Sequence, residues 1–155
     1  MRILVVSDTH GNWLAPLQCL TGNQVDMIIH LGDHISDAKE LEKVAGIPVI
    51  MVPGNCDPDA KEPREQLHTF KGHKFHLSHG DSHRVKAGYE QLLQRVRETG
   101  ASVSLCGHTH IPLVQKTDGI LLINPGTLMA ASSQKSCAIL HVTISKVTAE
   151  IIHLP

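Results

Sequence analysis

Five short motifs contain the residues of this chain that are best suited to chemistry. Each follows an apolar run and places imidazole, carboxylate or amide groups at its end. The motifs are Asp8-Thr-His10, Gly32-Asp33, Gly54-Asn55, His79-Gly-Asp and Gly107-His108-Thr-His110. Two adjacent metal ions can polarise a phosphate ester and generate the hydroxide that attacks it. These residue types therefore predict a site for two divalent metal ions and phosphate chemistry.

The spacing of the motifs predicts where they lie. Successive motifs are 22 to 29 residues apart, which is about the length of one strand–helix or strand–strand unit. Open α/β sheets bind ligands at the carboxyl ends of their strands. In extended chain, residues two apart point to the same side, so we expect Asp8 and His10 to bind one ion. His108 and His110 repeat this geometry.

The donor types restrict the metal. Asp8 and Asp33 bring two negative charges to two divalent ions, and the remaining positive charge would attract a hydroxide and a phosphate ester. Imidazole and carboxylate donors without thiolate suit transition metals better than Ca²⁺ or Mg²⁺. We expect two divalent transition-metal ions, with Mn²⁺ first and Ni²⁺, Zn²⁺, Fe²⁺ or Co²⁺ as alternatives.

The first half of the chain alternates strands and helices. Apolar strands are predicted at Ile3–Val6, Met27–Leu31 and Ile47–Val52. Apolar residues at helical spacing from Trp13 onward predict a first helix, for which Asn12 is the expected N-cap. A second helix is predicted to begin with Asp37 as its N-cap. Continuous apolar strands between helices indicate a parallel sheet that is buried on both faces.

The second half contains one clear helix, Val85–Glu98, and is otherwise formed by strands. Those strands are predicted at Leu67–Phe70, Lys74–Ser78, Val103–Cys106, Leu113–Lys116, Ile120–Asn124, Cys137–Ile144 and Thr148–His153. Asp118-Gly119 is a strong hairpin signal. We therefore expect an α/β (α+β) protein with two sheets packed face to face, helices outside, and a single domain of residues 1–155.

Composition excludes several classes. A net charge of −1 and 3% aromatic residues argue against a dedicated nucleic-acid binder. No apolar run is long enough for a membrane span. The four cysteines show no paired spacing, so we expect reduced thiols and a cytoplasmic location. The oligomeric state is open, and a homo-oligomer is one alternative.

The set and order of the five motifs resemble the calcineurin-like metallophosphoesterase superfamily, particularly its small YfcE-like phosphodiesterase branch. The resemblance extends from Asp8 to Thr127 and includes the element Asn124-Pro-Gly-Thr127. It implies a four-layer α-β-β-α sandwich of two mixed β-sheets. It also implies a metal-dependent phosphoesterase, most specifically a phosphodiesterase that hydrolyses small phosphodiesters with a metal-bridging hydroxide.

The resemblance assigns seven metal ligands to two ions that share Asp33. The first ion would be bound by Asp8, His10 and His110, and the second by Asn55, His79 and His108. Asp33, Asn55, His108 and Cys56 would act in catalysis. Weaker candidates are Asp57 and Asp81 as partners of the ligands or turn residues, Asn124 and Thr127 as turn residues, and His34, His83 and Arg84 as phosphate contacts.

Cys56 departs from the wider superfamily, where a histidine at this position assists the leaving group. A thiol is a weak hydrogen-bond donor. We therefore expect weaker catalysis on poor leaving groups than on aryl ones. The alternative to an enzyme is a metal-binding interaction scaffold of the same fold, a use known for the retromer subunit with this architecture. The completeness of the ligand set favours the enzyme.

Overall fold

Ten strands and three α-helices form the protein in a computed structural model that describes residues 1–155. In chain order they are β1 (Arg2–Val6), α1 (Ala15–Leu20), β2 (Met27–His30), α2 (Ile35–Ala45), β3 (Val49–Met51), β4 (Glu65–Phe70), β5 (His73–Ser78), α3 (Glu90–Thr99), β6 (Val103–Leu105), β7 (Leu113–Thr117), β8 (Ile120–Asn124), β9 (Ser136–Val142) and β10 (Val147–His153). A 3₁₀ helix spans Asp81–His83. None of the helices is long and apolar enough to cross a membrane.

The strands form two five-stranded mixed sheets. Sheet A has the order β10-β9-β1-β2-β3, and sheet B has the order β4-β5-β6-β8-β7. β1, β2 and β3 run parallel in sheet A, and β5, β6 and β8 run parallel in sheet B. Each of the five motifs directly follows one of these parallel strands, so the motifs collect at the carboxyl edges of the two sheets.

Alternation of apolar side chains produces the layers. Ile3 and Val5 of β1 point into the core between the two sheets. Leu4 and Val6 point the other way, into a cluster with α1 and α2. A third cluster joins α3 to the outer face of sheet B. The predicted four-layer α-β-β-α sandwich of two mixed sheets is therefore confirmed.

The Asp118-Gly119 hairpin is also confirmed. These two residues connect β7 to β8, with Thr117 paired to Ile120. Both central residues have positive φ, 50° at Asp118 and 81° at Gly119. A two-residue type I′ turn requires this combination.

The predicted cap of α2 was wrong. The helix begins at Ile35, two residues before Asp37, and its N-cap is His34, with φ 72° and no side-chain cap. The Ile35 N–H instead donates to Asp57 Oδ1 at 2.8 Å. A carboxylate that is remote in sequence thus caps the helix, which local sequence could not indicate.

Two other helix starts also differ from prediction. α3 begins at Glu90 and not at Val85, because Gly88 has a φ of 145°, which no α-helix accommodates. Val85 is still buried beneath α3, which explains the apolar period there. The N-cap of α1 is Leu14, and Asn12 donates through Nδ2 to the Leu128 carbonyl at 2.8 Å.

We expect Phe75→Ala to lower the free energy of unfolding by about 3–5 kcal/mol, because it leaves a cavity in the core between the sheets. Phe75 is fully buried in that core. Urea denaturation followed by circular dichroism measures the change. As a control, Val114→Ala on β7, at the edge of sheet B, should change it by less than about 0.5 kcal/mol. Equal losses would contradict the primary role of the inter-sheet core.

Candidate metal centre

The structure brings all seven predicted ligands together. One group comprises Asp8, His10 and His110, and a second comprises Asp33, His79 and His108. Asn55 joins the second group, with its Oδ1 3.2 Å from His79 Nε2. The residues come from five separate loops at one end of the sandwich. Their assignment as metal ligands stays a prediction.

One carboxylate oxygen of Asp8 is fixed by hydrogen bonds, and the other faces the histidines of the cluster. Its Oδ2 accepts hydrogen bonds from Ser7 Oγ at 2.5 Å and the His108 N–H at 3.0 Å. Its Oδ1 lies 3.0 Å from His110 Nε2. A Cβ on residue Gly107 would collide with Ser7 Oγ, so glycine is required where the His108 loop approaches. Asp8 therefore has one oxygen fixed by donors and one directed into the cluster.

Asp33 likewise has one carboxylate oxygen fixed by a hydrogen bond and one that faces histidines. Its Oδ1 accepts the Cys56 N–H at 2.9 Å. Its Oδ2 lies 3.5 Å from both His10 Nε2 and His79 Nε2. Asp33 Oδ2 is thus located between the two groups, which is the position that a ligand shared by two ions requires.

The tautomer of His79 follows from its backbone contact. His79 Nδ1 lies 2.7 Å from the Leu31 carbonyl oxygen, which can only accept, so Nδ1 carries the hydrogen. Nε2, the nitrogen left for a metal ion, lies 3.2 Å from Asn55 Oδ1 and 3.5 Å from Asp33 Oδ2. Burial lowers the pKa of His79, but the hydrogen bond with Asp33 and the charge of Asp8 outweigh it and leave that pKa above its usual value. A backbone carbonyl that orients a histidine through its second nitrogen is the usual arrangement around a metal-binding imidazole.

The charges of this cluster fit a bound cation. The side chains of Asp8 and Asp33 are 0% and 4% exposed, and every ion-pair partner they have is a histidine. His10 Nε2 is buried without a hydrogen-bond partner. Buried charges are costly unless they are paired or bind a metal. Carboxylate and imidazole donors that face one another suit divalent transition metals.

Hydrogen bonds and neighbouring charges keep both carboxylates ionised. Burial raises the pKa of Asp8, but the contacts from His110, His79 and Ser7 outweigh it and leave that pKa below its usual value. Burial also raises the pKa of Asp33, but the contacts from His79 and the Cys56 N–H outweigh it and leave that pKa below its usual value. Burial, followed by repulsion from His79 and Lys86, lowers the pKa of His108. The cluster at neutral pH therefore contains two carboxylates and a neutral His108.

Five of the seven residues have left-handed backbone: Asp8, His10, Asp33, His108 and His110, with φ between 46° and 68°. This conformation costs roughly 1–2 kcal/mol for each non-glycine residue. The extended geometry predicted for the Asp8 and His108 motifs was therefore wrong. His108 and His110 lie in different groups, as in the assignment that the resemblance implies.

A buried hydrogen-bond chain that the sequence analysis missed supports the Asp8 loop. The Gly32 N–H donates to His30 Nδ1 at 3.2 Å, so His30 Nε2 carries the hydrogen and donates to Thr9 Oγ1 at 3.1 Å. The Thr9 hydroxyl and the Gly11 N–H both donate to Asp37 Oδ2, at 2.7 and 2.8 Å. Burial lowers the pKa of His30 to about 4 and keeps it neutral. In the sequence, the only indication of this hydrogen-bond chain was His30, a histidine inside an apolar strand.

The weaker candidates have structural contacts. Thr127 Oγ1 donates to the Asp8 carbonyl at 2.9 Å, and Asn124 accepts the Gly126 N–H at 2.9 Å, which fixes the turn as predicted. Asn124 also donates to the Gly107 carbonyl at 2.8 Å. Asp57 Oδ2 accepts the Gly54 N–H at 2.9 Å and so supports the Asn55 loop. His83 belongs to a different cluster.

Cys56 lies at the exposed side of the cluster. Its sulfur forms a group with His10 and Asp33. Burial and then the negative charge of Asp33 raise the pKa of the Cys56 thiol. The side chain is therefore a neutral thiol, not a thiolate, beside the two carboxylates.

A cleft of about 450 Å³ borders the His108–His110 loop at Thr109. Its wall is largely apolar and contains one cation, Lys86. The lining residues are Val85, Lys86, Ala87, Gly88, Tyr89, Thr109, Ile111 and Leu113. The cleft can accommodate an apolar group next to the candidate metal centre.

Comparisons with known proteins point to one family. The calcineurin-like phosphoesterase superfamily domain matches residues 1–145. A probable metallophosphoesterase from Mycoplasma pneumoniae is 35% identical over 133 residues, which cover 82% of this chain and 79% of the relative. A phosphodiesterase from Methanocaldococcus jannaschii is 27% identical over 146 residues, which cover 81% of this chain and 83% of that protein.

Two solved structures show the same fold. A predicted phosphoesterase from Streptococcus pneumoniae superposes with a TM-score of 0.80 at 23% identity and covers 98% of this chain and 88% of that one. Wild-type Vps29 from Entamoeba histolytica, complexed with Zn²⁺, has a TM-score of 0.79 at 18% identity and covers 99% of both chains. At these identities the likeness extends to the fold alone.

We expect Gly54→Ala to weaken Mn²⁺ binding by at least about tenfold, the lower end of the effect of disturbing residues behind metal ligands. The new Cβ would collide with Asp33 Oδ1 and displace the carboxylate. Equilibrium dialysis measures the affinity. Gly46→Ala is the control, because no atom lies within 4 Å of its Cβ and it costs only left-handed backbone strain. Unchanged Mn²⁺ affinity in Gly54→Ala would contradict the role of Asp33.

Proposed function

Because the chain belongs to the calcineurin-like phosphoesterase superfamily, we propose that it is a metal-dependent phosphodiesterase acting on small phosphodiesters at the centre described above. The observation that carries the proposal is the position of Asp33 Oδ2, 3.5 Å from an imidazole nitrogen of each group. The relative from Methanocaldococcus jannaschii, a phosphodiesterase, supports the diester preference.

The proposed ligands form two sets that share Asp33. The first ion would be bound by Asp8, His10 and His110, and the second by Asn55, His79 and His108. When bound, two divalent metal ions polarise the phosphate and supply a hydroxide nucleophile at neutral pH. Mn²⁺ is our first choice, with Ni²⁺, Zn²⁺, Fe²⁺ and Co²⁺ as alternatives. Mn²⁺ is the weakest binder of the divalent series, so its occupancy would depend on the availability of the metal and not on affinity. From the unpaired cysteine spacing we place the protein in the cytoplasm.

The protein residues keep this centre ready for substrate. Ser7 and the His108 N–H hold one oxygen of Asp8, and the Cys56 N–H holds one oxygen of Asp33. Each carboxylate therefore needs little rearrangement. Asn55 is exposed, and since its Oδ1 faces His79 Nε2, its Nδ2 group can donate to a phosphate oxygen.

Substrate recognition extends into the adjacent cleft. Lys86 would attract the negative charge of the diester, and Tyr89, Ile111 and Leu113 would contact an apolar substituent. A diester has two organic groups, and the cleft beside Thr109 provides room for one of them. This arrangement favours diesters with an aryl or other apolar group.

A metal-binding interaction scaffold is the alternative function. It is worth testing because the fold is shared with Vps29, at a TM-score of 0.79. The complete donor set favours the hydrolase. Metal binding without turnover of any phosphate ester would favour the scaffold.

We expect Asp33→Ala to abolish hydrolysis of bis(p-nitrophenyl) phosphate, because it removes the oxygen located between the two histidine groups. Release of nitrophenolate at saturating Mn²⁺ measures turnover, and circular dichroism checks the fold. Asp118→Asn is the matched control, since this side chain is 68% exposed in the β7–β8 hairpin, and it should retain full activity. Retained turnover by folded, metal-replete Asp33→Ala would refute the assignment.

We expect turnover to fall steeply as the leaving group becomes more basic, because Cys56 offers only a weak donor. Cys56→His should raise turnover of alkyl diesters by about a hundredfold, the lower end of the 10²–10⁴ range for general acids. It should leave p-nitrophenyl diesters nearly unchanged. A leaving-group series on wild type, Cys56→His and Cys56→Ala measures this. Turnover that is independent of leaving-group pKa would exclude this role for the position.

A further inference from the structure

A second histidine cluster lies outside the five motifs, on the face of sheet B that α3 covers. It comprises Glu65 at the start of β4, His76 in the middle of β5 and His83 in the 3₁₀ helix, with one donor atom of each within 4.8 Å of the others. The imidazoles of His76 and His83 are 5.8 Å apart between ring centres. None of these residues contributes to the centre proposed above.

This cluster contains buried polar atoms that lack partners. The side chain of His76 is 0% exposed, yet neither of its ring nitrogens has a hydrogen-bond partner. Nδ1 of His83 and the hydroxyls of Ser78 and Ser104 are also buried and unpartnered. Ser104 pairs with His76 across β5 and β6, and Ser78 lies two residues after His76, so these groups share one face.

So many unpartnered groups in one place require an explanation. More than about 90% of buried polar groups in proteins are hydrogen-bonded, and exceptions often mark an ion or a functional group. An unsatisfied buried group costs roughly 1–3 kcal/mol. A fully buried imidazole whose Nε2 is 3.5 Å from a carboxylate oxygen of Glu65, and whose Nδ1 has no hydrogen-bond partner, therefore indicates a missing partner.

We propose that Glu65, His76 and His83 form a separate mononuclear site for one divalent transition-metal ion. Glu65 Oε2 lies 3.5 Å from His76 Nε2 and 3.8 Å from His83 Nε2. Donors about 2.0–2.1 Å from a tetrahedral Zn²⁺ are roughly 3.4 Å from one another. Only small side-chain shifts would complete such coordination, and two histidines with one glutamate are a known three-residue zinc set.

Arg95 positions the carboxylate of this site. Its Nη2 donates to Glu65 Oε1 at 2.7 Å, and its Nε lies 3.0 Å from Oε1 and 3.1 Å from Oε2. The guanidinium therefore holds Oε1 most strongly and leaves Oε2 nearest to the histidines. Its positive charge lowers the affinity for a cation, but hydrogen bonds to a ligating carboxylate also fix its orientation.

The ionisation of the cluster supports metal binding. The hydrogen bond from Arg95 lowers the pKa of Glu65, so that the carboxylate is charged. Burial lowers the pKa of His76 and keeps its imidazole neutral, which is the form that binds metal. An ion here would connect β4, β5 and the 3₁₀ helix that follows the His79 motif.

The experiment separates this site from the main centre. Apo Asp8→Ala/Asp33→Ala protein, whose main centre lacks both carboxylates, is titrated with Zn²⁺ by calorimetry, and bound metal is counted after gel filtration. We expect about one equivalent of Zn²⁺ to remain. His83→Ala added to this background should remove it, and Glu65→Gln, which preserves side-chain shape, should weaken it by at least tenfold. His141→Gln, an exposed histidine on β9, is the matched control and should keep the equivalent.

The same substitutions in the wild-type background provide a second measurement. His83→Ala should bind one Zn²⁺ fewer than wild type, and its Co²⁺-substituted form should lose the visible absorption of one tetrahedral ion. Glu65→Gln should bind that ion at least tenfold more weakly than wild type. Bound metal that is equal in wild type, His83→Ala and Glu65→Gln would overturn the proposal. So would absence of Zn²⁺ from folded Asp8→Ala/Asp33→Ala protein. Neither result depends on whether the protein hydrolyses phosphodiesters.

Discussion

Two ionised carboxylates, Asp8 and Asp33, are buried at one end of the sandwich without a lysine or arginine partner. A buried charge must be compensated, and here the compensation comes from directed N–H and O–H groups on one oxygen and imidazoles on the other. That requirement accounts for the local architecture. The loops after five parallel strands must approach within hydrogen-bond distance, which is why Gly54 and Gly107 stand where a side chain would collide with these groups.

The sandwich supplies the rigidity that this arrangement needs. The left-handed backbone at most of the candidate ligands is costly and persists only where its surroundings determine it. Those surroundings include the chain from His30 through Thr9 to Asp37 and the hydrogen bond from Thr127 to the Asp8 carbonyl. Each connects a ligand loop to a strand end or to α2. The layers that form the core therefore also hold these residues in the strained left-handed conformation.

The abundance of histidine in this chain has more than one explanation. Four of the twelve histidines belong to the main centre, namely His10, His79, His108 and His110. His30 is a neutral member of a buried hydrogen-bond chain, and His76 and His83 lie together on the face of sheet B under α3. A histidine-rich composition thus indicated metal chemistry in general, whereas burial and partners distinguish the individual roles.

The sequence by itself determined the layers and the members of the main cluster. Continuous apolar runs specify strands that are buried on both faces, and polar motifs after parallel strands must meet at one edge. Tertiary structure alone decided the conformations within that edge. Asp57 caps α2 from 22 residues away, Gly88 delays α3, and the Asp8 loop turns instead of extending. The cluster of Glu65, His76 and His83 could not be predicted from the sequence either, because antiparallel pairing and a 3₁₀ helix bring together residues that no local pattern relates. Side-chain type and strand period are local properties, whereas caps, tautomers and shared oxygens depend on atoms that are distant in the chain.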